Sequence, residues 1–456
     1  MPTVKNKLFS DKAFYKSLFI IAIPIMLQNL INTLVNILDT IMIGRLGTVE
    51  IAAVGLGNQV FFFFILTMFG ICSGAAIFTA QFWGKRDIAG IRKNVGFSLC
   101  LCLIIASFFT TAAALFPSFI MRVFSKDEDV IRAGVVYLQY LSPAFIPFAV
   151  SYVVVLTLRS IENLRLAIVS TVVALSVNLV LNYVLIFGMG PFPALGLAGA
   201  AIATDIARLV EVLILVIATY VRRYPIAGSI KELLGFNLVY VQRFFKISFP
   251  VILNEIIWSA GITVQNVIFA RTNTDAIAAF NITNTVSQLA WVVFIGLGSG
   301  GGVLIGKRIG EGNNASARDY ASRLIRFTPL VSIGAILILI PLSQVLGLIF
   351  RVNDNVIAIA GSLFIVLCVF YPARAFNMAM VVGICRAGGD TIFCILYDIV
   401  LMWTVAIPLA AAASFIFDAP VWLIYTCLMV EEPLKLLLGL WRFRSGKWLH
   451  NVTEGL

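Results

Sequence analysis

The chain predicts an all-α polytopic membrane protein, twelve transmembrane helices in two homologous six-helix bundles, and three observations carry that prediction. Composition is the first: apolar residues make up 61% of the 456 positions and charged residues only 12%, too few charges to cover a water-exposed surface. The second is a succession of apolar stretches, each long enough for the ~20 residues that a bilayer core requires. The third is an internal repeat. Shifted by 226 residues, segment 24–92 aligns without a gap on 250–318, and the matches include Pro24 with Pro250, Arg45 with Arg271, Asn58 with Asn284, Gly70 with Gly296, Gly74 with Gly300 and Arg92 with Arg318. The same pairing returns one residue out of step at Arg159 and Arg386. Shared apolar composition does not place Gly, Arg and Asn in one register over such a length. Paired lobes in a membrane chain point to alternating access, with a site between or within the lobes.

Taken in order, the apolar stretches of the first half run over about 16–43, 51–82, 95–116, 130–158, 163–189 and 196–221. Those of the second half cover about 241–270, 277–308, 323–349, 357–384, 390–416 and 421–443. The expected organisation is a lobe at 1–221, a cytoplasmic linker at 222–240 and a lobe at 241–456. The first stretch is too long for a signal-peptide core and no small-residue cleavage site follows it. The linker region, RRYPIAGSIKELLGFNLVYVQRFFK, contains an amphipathic patch that either lies along the interface or forms a solvated tether. No loop is long enough for a separate domain, so function is expected within the membrane.

Lys and Arg number 24 on the side of the N-terminus and 6 on the other, with three more inside helices. Both termini are therefore expected in the cytoplasm, beneath the plasma membrane. The net charge of +11 is topogenic and gives no reason to expect nucleic acid as a partner, since within the membrane three bases face seven acids. All seven cysteines fall in apolar stretches without C-x-x-C spacing and are expected to pack as small hydrophobes. His450, the only histidine, lies in the C-terminal tail, which leaves no histidine base or metal ligand in the membrane.

On the first helix, Asn29, Asn32, Asn36 and Asp39 fall within about 80° of one another, a polar stripe that ends in an acid. A carboxylate at membrane depth costs roughly 2.5–3.5 kcal/mol, so it faces a cavity, a partner or an ion, unless it pairs near the surface close to Arg45. Asn178 and Asn182 stand one turn apart on the fifth helix, and Thr204 follows Ala200 by one turn on the sixth. Their oxygens either meet Asp39, where they would suit a small hard cation, or serve as interhelical glue. Asp205, Arg208 and Glu211, at i, i+3 and i+6, are read as intrahelical ion pairs. In the second half Glu255 stands where the first has Asn29, and Gln265 where it has Asp39. Arg374, Asp398, Glu431, Glu432 and Lys435 add intramembrane charge there without revealing their pairing. Glu255, Gln265 and Arg374 join Asn29, Asn32 and Asn36 as substrate-contact candidates, with Glu255 balanced between that role and a structural one. The run GLGSGGG at 296–302 lacks the GK[ST] ending of a phosphate loop and is read as a surface for close helix packing.

Together these marks resemble the multidrug and toxic compound extrusion (MATE) transporters over essentially the whole chain. The resemblance rests on Pro24, Asp39 and Gly44 to Gly47 in P-x14-D-x4-G-R-L-G, then IAAVGLGNQV, NLVLNYVLIFG and GLAGAAIAT, in that order and echoed by the second half. It implies two bundles around a central V-shaped cleft and antiport of cationic or amphipathic small molecules against inward Na+ or H+, by a monomer without cofactor. Carried over residue by residue, it implies a cation site at Asp39, Asn178, Asn182, Thr204 and the Ala200 carbonyl, with Pro24 as a helix-bending proline. The chain departs from relatives that have an acid in place of Asn182, and from others with a deeper acid on helix seven and an Asp on helix ten, where this chain has Arg374. A lipid-linked oligosaccharide flippase of the same superfamily is the alternative, for which a cationic cavity is expected. An intramembrane enzyme would need convergent acids, bases or metal ligands, and the scattered acids here do not suggest one.

Overall fold

The computed structural model describes residues 11–349 and 353–456, which are helical almost throughout. Six long helices, α1 (Lys12–Gly44), α2 (Thr48–Lys85), α3 (Ile88–Leu115), α4 (Glu128–Ser160), α5 (Leu164–Phe187) and α6 (Gly196–Val221), precede the linker. Six more follow it: α7 (Leu238–Thr272), α8 (Thr274–Gly310), α9 (Asn314–Ile349), α10 (Asp354–Cys385), α11 (Thr391–Phe415) and α12 at residues 421–445. The twelve-helix, six-plus-six order expected from the apolar stretches is thus present. Among the described residues nine helices are long and apolar enough to cross a membrane. α6 falls short because Asp205, Arg208 and Glu211 crowd its middle, and α12 is interrupted at Val430. Lys5 and Lys7, which enter the charge count, lie outside the described residues.

Local sequence explains where helices stop and start. Asp87 accepts from Gly90 N at 2.8 Å, Asn273 from Ala276 N at 2.6 Å and Asn353 from Val356 N at 2.8 Å, each satisfying an orphan donor at the start of α3, α8 and α10. α5 ends at Gly188, whose φ of 73° favours glycine, and an added Cβ would meet Ala194 N at 2.5 Å. α10 and α11 contain the π-helical turns Ala379–Cys385, Leu396–Val400 and Met402–Ala406.

The chain forms two compact units, one of Leu27–Phe244 and one combining 11–26 with Phe245–Gly455. α1 therefore changes unit just after Pro24 and α7 changes unit six residues before Pro250. α1 runs unbroken through Pro24, which removes the backbone donor that would have bonded the Ile20 carbonyl.

In the first unit α5 and α6 approach so closely at Gly199 that a Cβ there would sit 2.5 Å from the Leu185 carbonyl oxygen. Phe64, Phe109 and Phe145 bring α2, α3 and α4 together, with Phe64 and Phe145 edge to face at 4.8 Å. The start of α7 is tied to α2 and α3 by Phe244, 5.8 Å from Phe78 and 4.9 Å from Phe97, and by Tyr240, whose hydroxyl donates to Asn94 Oδ1 at 2.5 Å. The linker turn Ile230–Leu233 is closed by a capping box between Ser229 and Glu232, and Arg92 reaches Glu232 at 2.6 Å. The second unit has a core in which Phe269 and Phe280 stack at 4.1 Å beside Tyr425. Its α8 glycines allow close packing, as expected: Gly296 and Gly300 face Met26 and Ala22 of α1, and Gly302 faces the Val382 carbonyl.

Candidate cation site and cavity

Within the Leu27–Phe244 unit, residues of α1, α2, α4, α5 and α6 line a cavity of about 540 Å³. Helical periodicity on α1 aims Asn29, Asn32, Asn36 and Asp39, the stripe legible in the sequence, into it, and Gln28 lines it as well. At one end a continuous hydrogen-bonded chain joins three helices. Asn182 Nδ2 donates to Asp39 Oδ1 at 2.7 Å and to Asn178 Oδ1 at 3.3 Å. Asn178 Nδ2 donates to Thr204 Oγ1 at 3.3 Å, and that hydroxyl donates to the Ala200 carbonyl at 3.1 Å. All five residues of the sequence-derived cation set therefore meet.

The electrostatics of this end follow from what is left unpaired. Asn182 Oδ1 is buried and has no hydrogen-bond partner. A buried carbonyl oxygen without a donor costs about 1–3 kcal/mol, a cost that a cation beside Asp39 would remove. Among the described residues no cluster of three His, Cys, Asp or Glu side chains forms. Asp39 is thus one carboxylate among neutral oxygens, a donor set suited to a hard monovalent cation or a proton rather than to a transition metal.

At the other end stands a second polar relay, whose long-range partners neither helical spacing nor the family resemblance indicates. Arg159 on α4 donates to Gln28 Oε1, Gln28 Nε2 donates to Thr171 Oγ1 at 2.6 Å, and Thr171 donates to Glu211 Oε1 at 3.0 Å. Arg208 NH1 closes the relay on Glu211 Oε2 at 3.0 Å, and its guanidinium lies over the Phe148 ring at 5.0 Å. Arg208 and Glu211 form the expected intrahelical pair, but Asp205 does not join it, and its Oδ1 is buried without a partner. Tyr137, which donates to Asn58 Oδ1 at 3.2 Å, completes the polar wall between the two ends.

Glu255, Gln265 and Arg374 lie in the other unit. Glu255 pairs with Arg386 at 2.6 Å rather than with Arg374, and both side chains are nearly buried, 12% and 7% exposed. Arg374 sits 3.7 Å from Glu432 and stacks over Trp291 at 4.8 Å. Lys435 lies 3.2 Å from Glu431 and 3.7 Å from Asp398, whose other oxygen accepts from Asn254 at 3.3 Å. The intramembrane charges of the second half, whose pairing the sequence does not reveal, thus form the pair Arg374–Glu432 and the triad Glu431–Lys435–Asp398. Gln265 is buried at 7% exposure.

Comparison with known proteins gives the family and the fold. The MatE family model matches twice, at residues 24–184 and 250–412, starting at the two ends of the 226-residue repeat. The uncharacterised transporter YisQ of Bacillus subtilis is 22% identical over 446 residues, covering 96% of each chain. The probable multidrug resistance protein NorM of Thermotoga maritima is 24% identical over 445 residues, 95% of this chain and 93% of that one. A MATE crystal structure in the straight conformation shares the fold with a TM-score of 0.86 at 19% identity, covering 96% of this chain and 98% of that one. Twice matched, and helical over twelve spans with a repeat at the same offset, the chain belongs to the MatE family of multi-pass membrane transporters.

Proposed function

We propose that this protein is a secondary active antiporter that exports amphipathic or cationic small molecules in exchange for inward Na+ or H+, its two lobes alternating access. The observation that carries the reading is the Asp39–Asn182–Asn178–Thr204–Ala200 chain at one end of a cavity whose remaining wall mixes polar, aromatic and aliphatic side chains. Relatives named as probable multidrug resistance proteins support the substrate class. A dehydrated Na+ gains from the unpartnered Asn182 Oδ1 and from the Asn178 and Thr204 oxygens, whereas a proton needs Asp39 alone, and this favours Na+. The cavity lining carries Asp39 and Glu211 against Arg159 and Arg208, a balanced set that does not favour a flippase for pyrophosphate-linked lipids.

The test is efflux of a fluorescent organic cation from proteoliposomes under imposed Na+ or H+ gradients, one at a time. Transport driven by either gradient supports antiport, and transport indifferent to Na+ at a fixed pH gradient assigns the coupling to H+. Dye movement that follows neither gradient refutes the reading. The membrane orientation, both termini and the linker cytoplasmic, is checked by placing a cysteine at the exposed Asn237. An impermeant thiol reagent should modify it only from the cytoplasmic side.

A further inference from the structure

Repeat-related arginines in the two halves meet different partners. Arg386 bonds Glu255, and Arg159 bonds Gln28, the neighbour of Glu255's repeat partner Asn29, so repeat-related arginines reach adjacent rather than equivalent positions on the first helix of their halves. In the second half the contact is an ion pair. In the first half a neutral amide stands in place of the carboxylate, and among the described residues no Asp or Glu lies within 4 Å of Arg159. Glu211, the nearest acid along the relay, already accepts from both Arg208 and Thr171.

A half-buried guanidinium without a counter-charge is destabilising unless something brings one. Arg159 borders the cavity, and its Nε is buried without an acceptor. Two turns earlier on the same face of α4 is Ser151, 3% exposed, whose hydroxyl also borders the cavity and has no partner. On the same helix Phe148 and Tyr152 stack at 5.4 Å and give the cavity an aromatic wall. The Asp39 and Gln28 ends are eleven residues apart on α1, about 16 Å, so an anion at Arg159 does not compete with a cation at Asp39.

We infer that Arg159 is the anion-recognition residue of this cavity, and that it takes the carboxylate of an amphipathic organic acid or zwitterion whose aromatic or apolar body lies along Phe148 and Tyr152. The bound acid supplies to Arg159 the counter-charge that Glu255 supplies to Arg386. The inference rests on reading the cavity as the transport site and narrows its substrates to those with a carboxylate at one end.

The probes are 2-naphthoate, its neutral methyl ester and 2-naphthylmethylammonium, with equilibrium binding measured on the purified full-length protein in detergent. Naphthoate should bind wild type about tenfold to a hundredfold more tightly than the ester, the increment of a charge-assisted hydrogen bond. Gln28→Glu should abolish that preference, because it supplies an internal carboxylate as Glu255 does for Arg386, while affinity for the ammonium probe holds or rises. Arg159→Lys should retain part of the preference and Arg159→Gln none. If Arg159→Gln fails to fold, Gln28→Glu decides the matter. Equal affinity for acid and ester in wild type, or an undiminished preference in Gln28→Glu, overturns the inference. A clear acid preference in a protein whose efflux follows no cation gradient leaves the anion site standing and sinks the antiport reading, whereas gradient-driven efflux without acid preference does the reverse.

Discussion

Asp39→Asn separates what the cation site does for coupling from what it does for the fold. The amide keeps the shape of the carboxylate and can still bond Asn182, 2.7 Å away. A hydrogen bond to a charged group contributes about 1.5–3 kcal/mol and one between neutral groups about 1 kcal/mol, so the fold loses about 0.5–2 kcal/mol. The ion loses more. A cation 4 Å from a carboxylate at an effective dielectric constant near 20 gains about 4 kcal/mol, about a thousandfold in affinity. Gradient-driven efflux from proteoliposomes should therefore fall to the passive leak, while equilibrium binding of the transported dye stays within about threefold of wild type and Tm drops by a few degrees at most. Asn182→Asp, which adds a second carboxylate to the same chain, should instead tighten cation binding. Asp39→Asn protein that still drives efflux at the wild-type rate under either gradient would remove Asp39 from the coupling step.

Glu255→Gln leaves Arg386 buried without its counter-charge and should destabilise the protein by about 3–5 kcal/mol, with most of the loss recovered in Glu255→Gln/Arg386→Gln, as read by thermal unfolding in detergent. Gly199→Ala drives a methyl to 2.5 Å from the Leu185 carbonyl oxygen and should cost about 1–3 kcal/mol, whereas Gly55→Ala, with nothing within 4 Å, should be neutral or slightly stabilising. Hydrogen bonds from the Ser229 backbone and hydroxyl, followed by Arg92, hold the exposed Glu232 carboxyl below the ordinary carboxylate range. The folded value is the lower one, so the stabilisation of the linker turn is complete above the ordinary glutamate value of ~4.3 and is lost as pH falls through the folded-state value. Amide-exchange protection at Leu233 and Leu234 should drop in that acid window in wild type and show no such step in Glu232→Gln.

Twelve helices were legible because a bilayer core imposes one length and one polarity, and the stripe from Asn29 to Asp39 was legible because helical periodicity needs no tertiary information. The meeting of Asp39 with Asn182, 143 residues away, was not legible from spacing and came from family resemblance. Arg159 and Arg386 were missed for a physical reason. Apolar stretches end at 158 and 384, and hydropathy reads the next charge as the membrane's edge, although α4 continues to Ser160 and the side chain of Arg386 turns inward to Glu255. Their repeat pairing was visible, but a repeat predicts that two contacts are equivalent without naming the partner in either. Asp205 failed in the opposite sense: i, i+3 spacing to Arg208 permits a pair, and the guanidinium is already committed to Glu211 and the face of Phe148.

The duplicated arginine sites also bear on why the halves differ. Both arginines reach the first helix of their half across 131 residues, at positions one residue apart in the repeat, Gln28 lying beside Glu255's counterpart Asn29, while the chemistry there and at the Asp39 and Gln265 pair diverged. In the second half Arg386, Arg374 and Lys435 each have an acid within 4 Å, so substituting a single member unbalances a buried charge and acts first on stability. In the first half Asp39 and Arg159 have neutral partners and border a cavity, so their charges remain available to something that enters. Charge-neutralising substitutions should accordingly separate by half: at Asp39 and Arg159 they alter ion and ligand binding at near-constant Tm, and at Glu255 and Arg386 they lower Tm before they alter binding. A scan of these four positions by thermal unfolding and equilibrium binding would refute the asymmetry if both halves were destabilised equally.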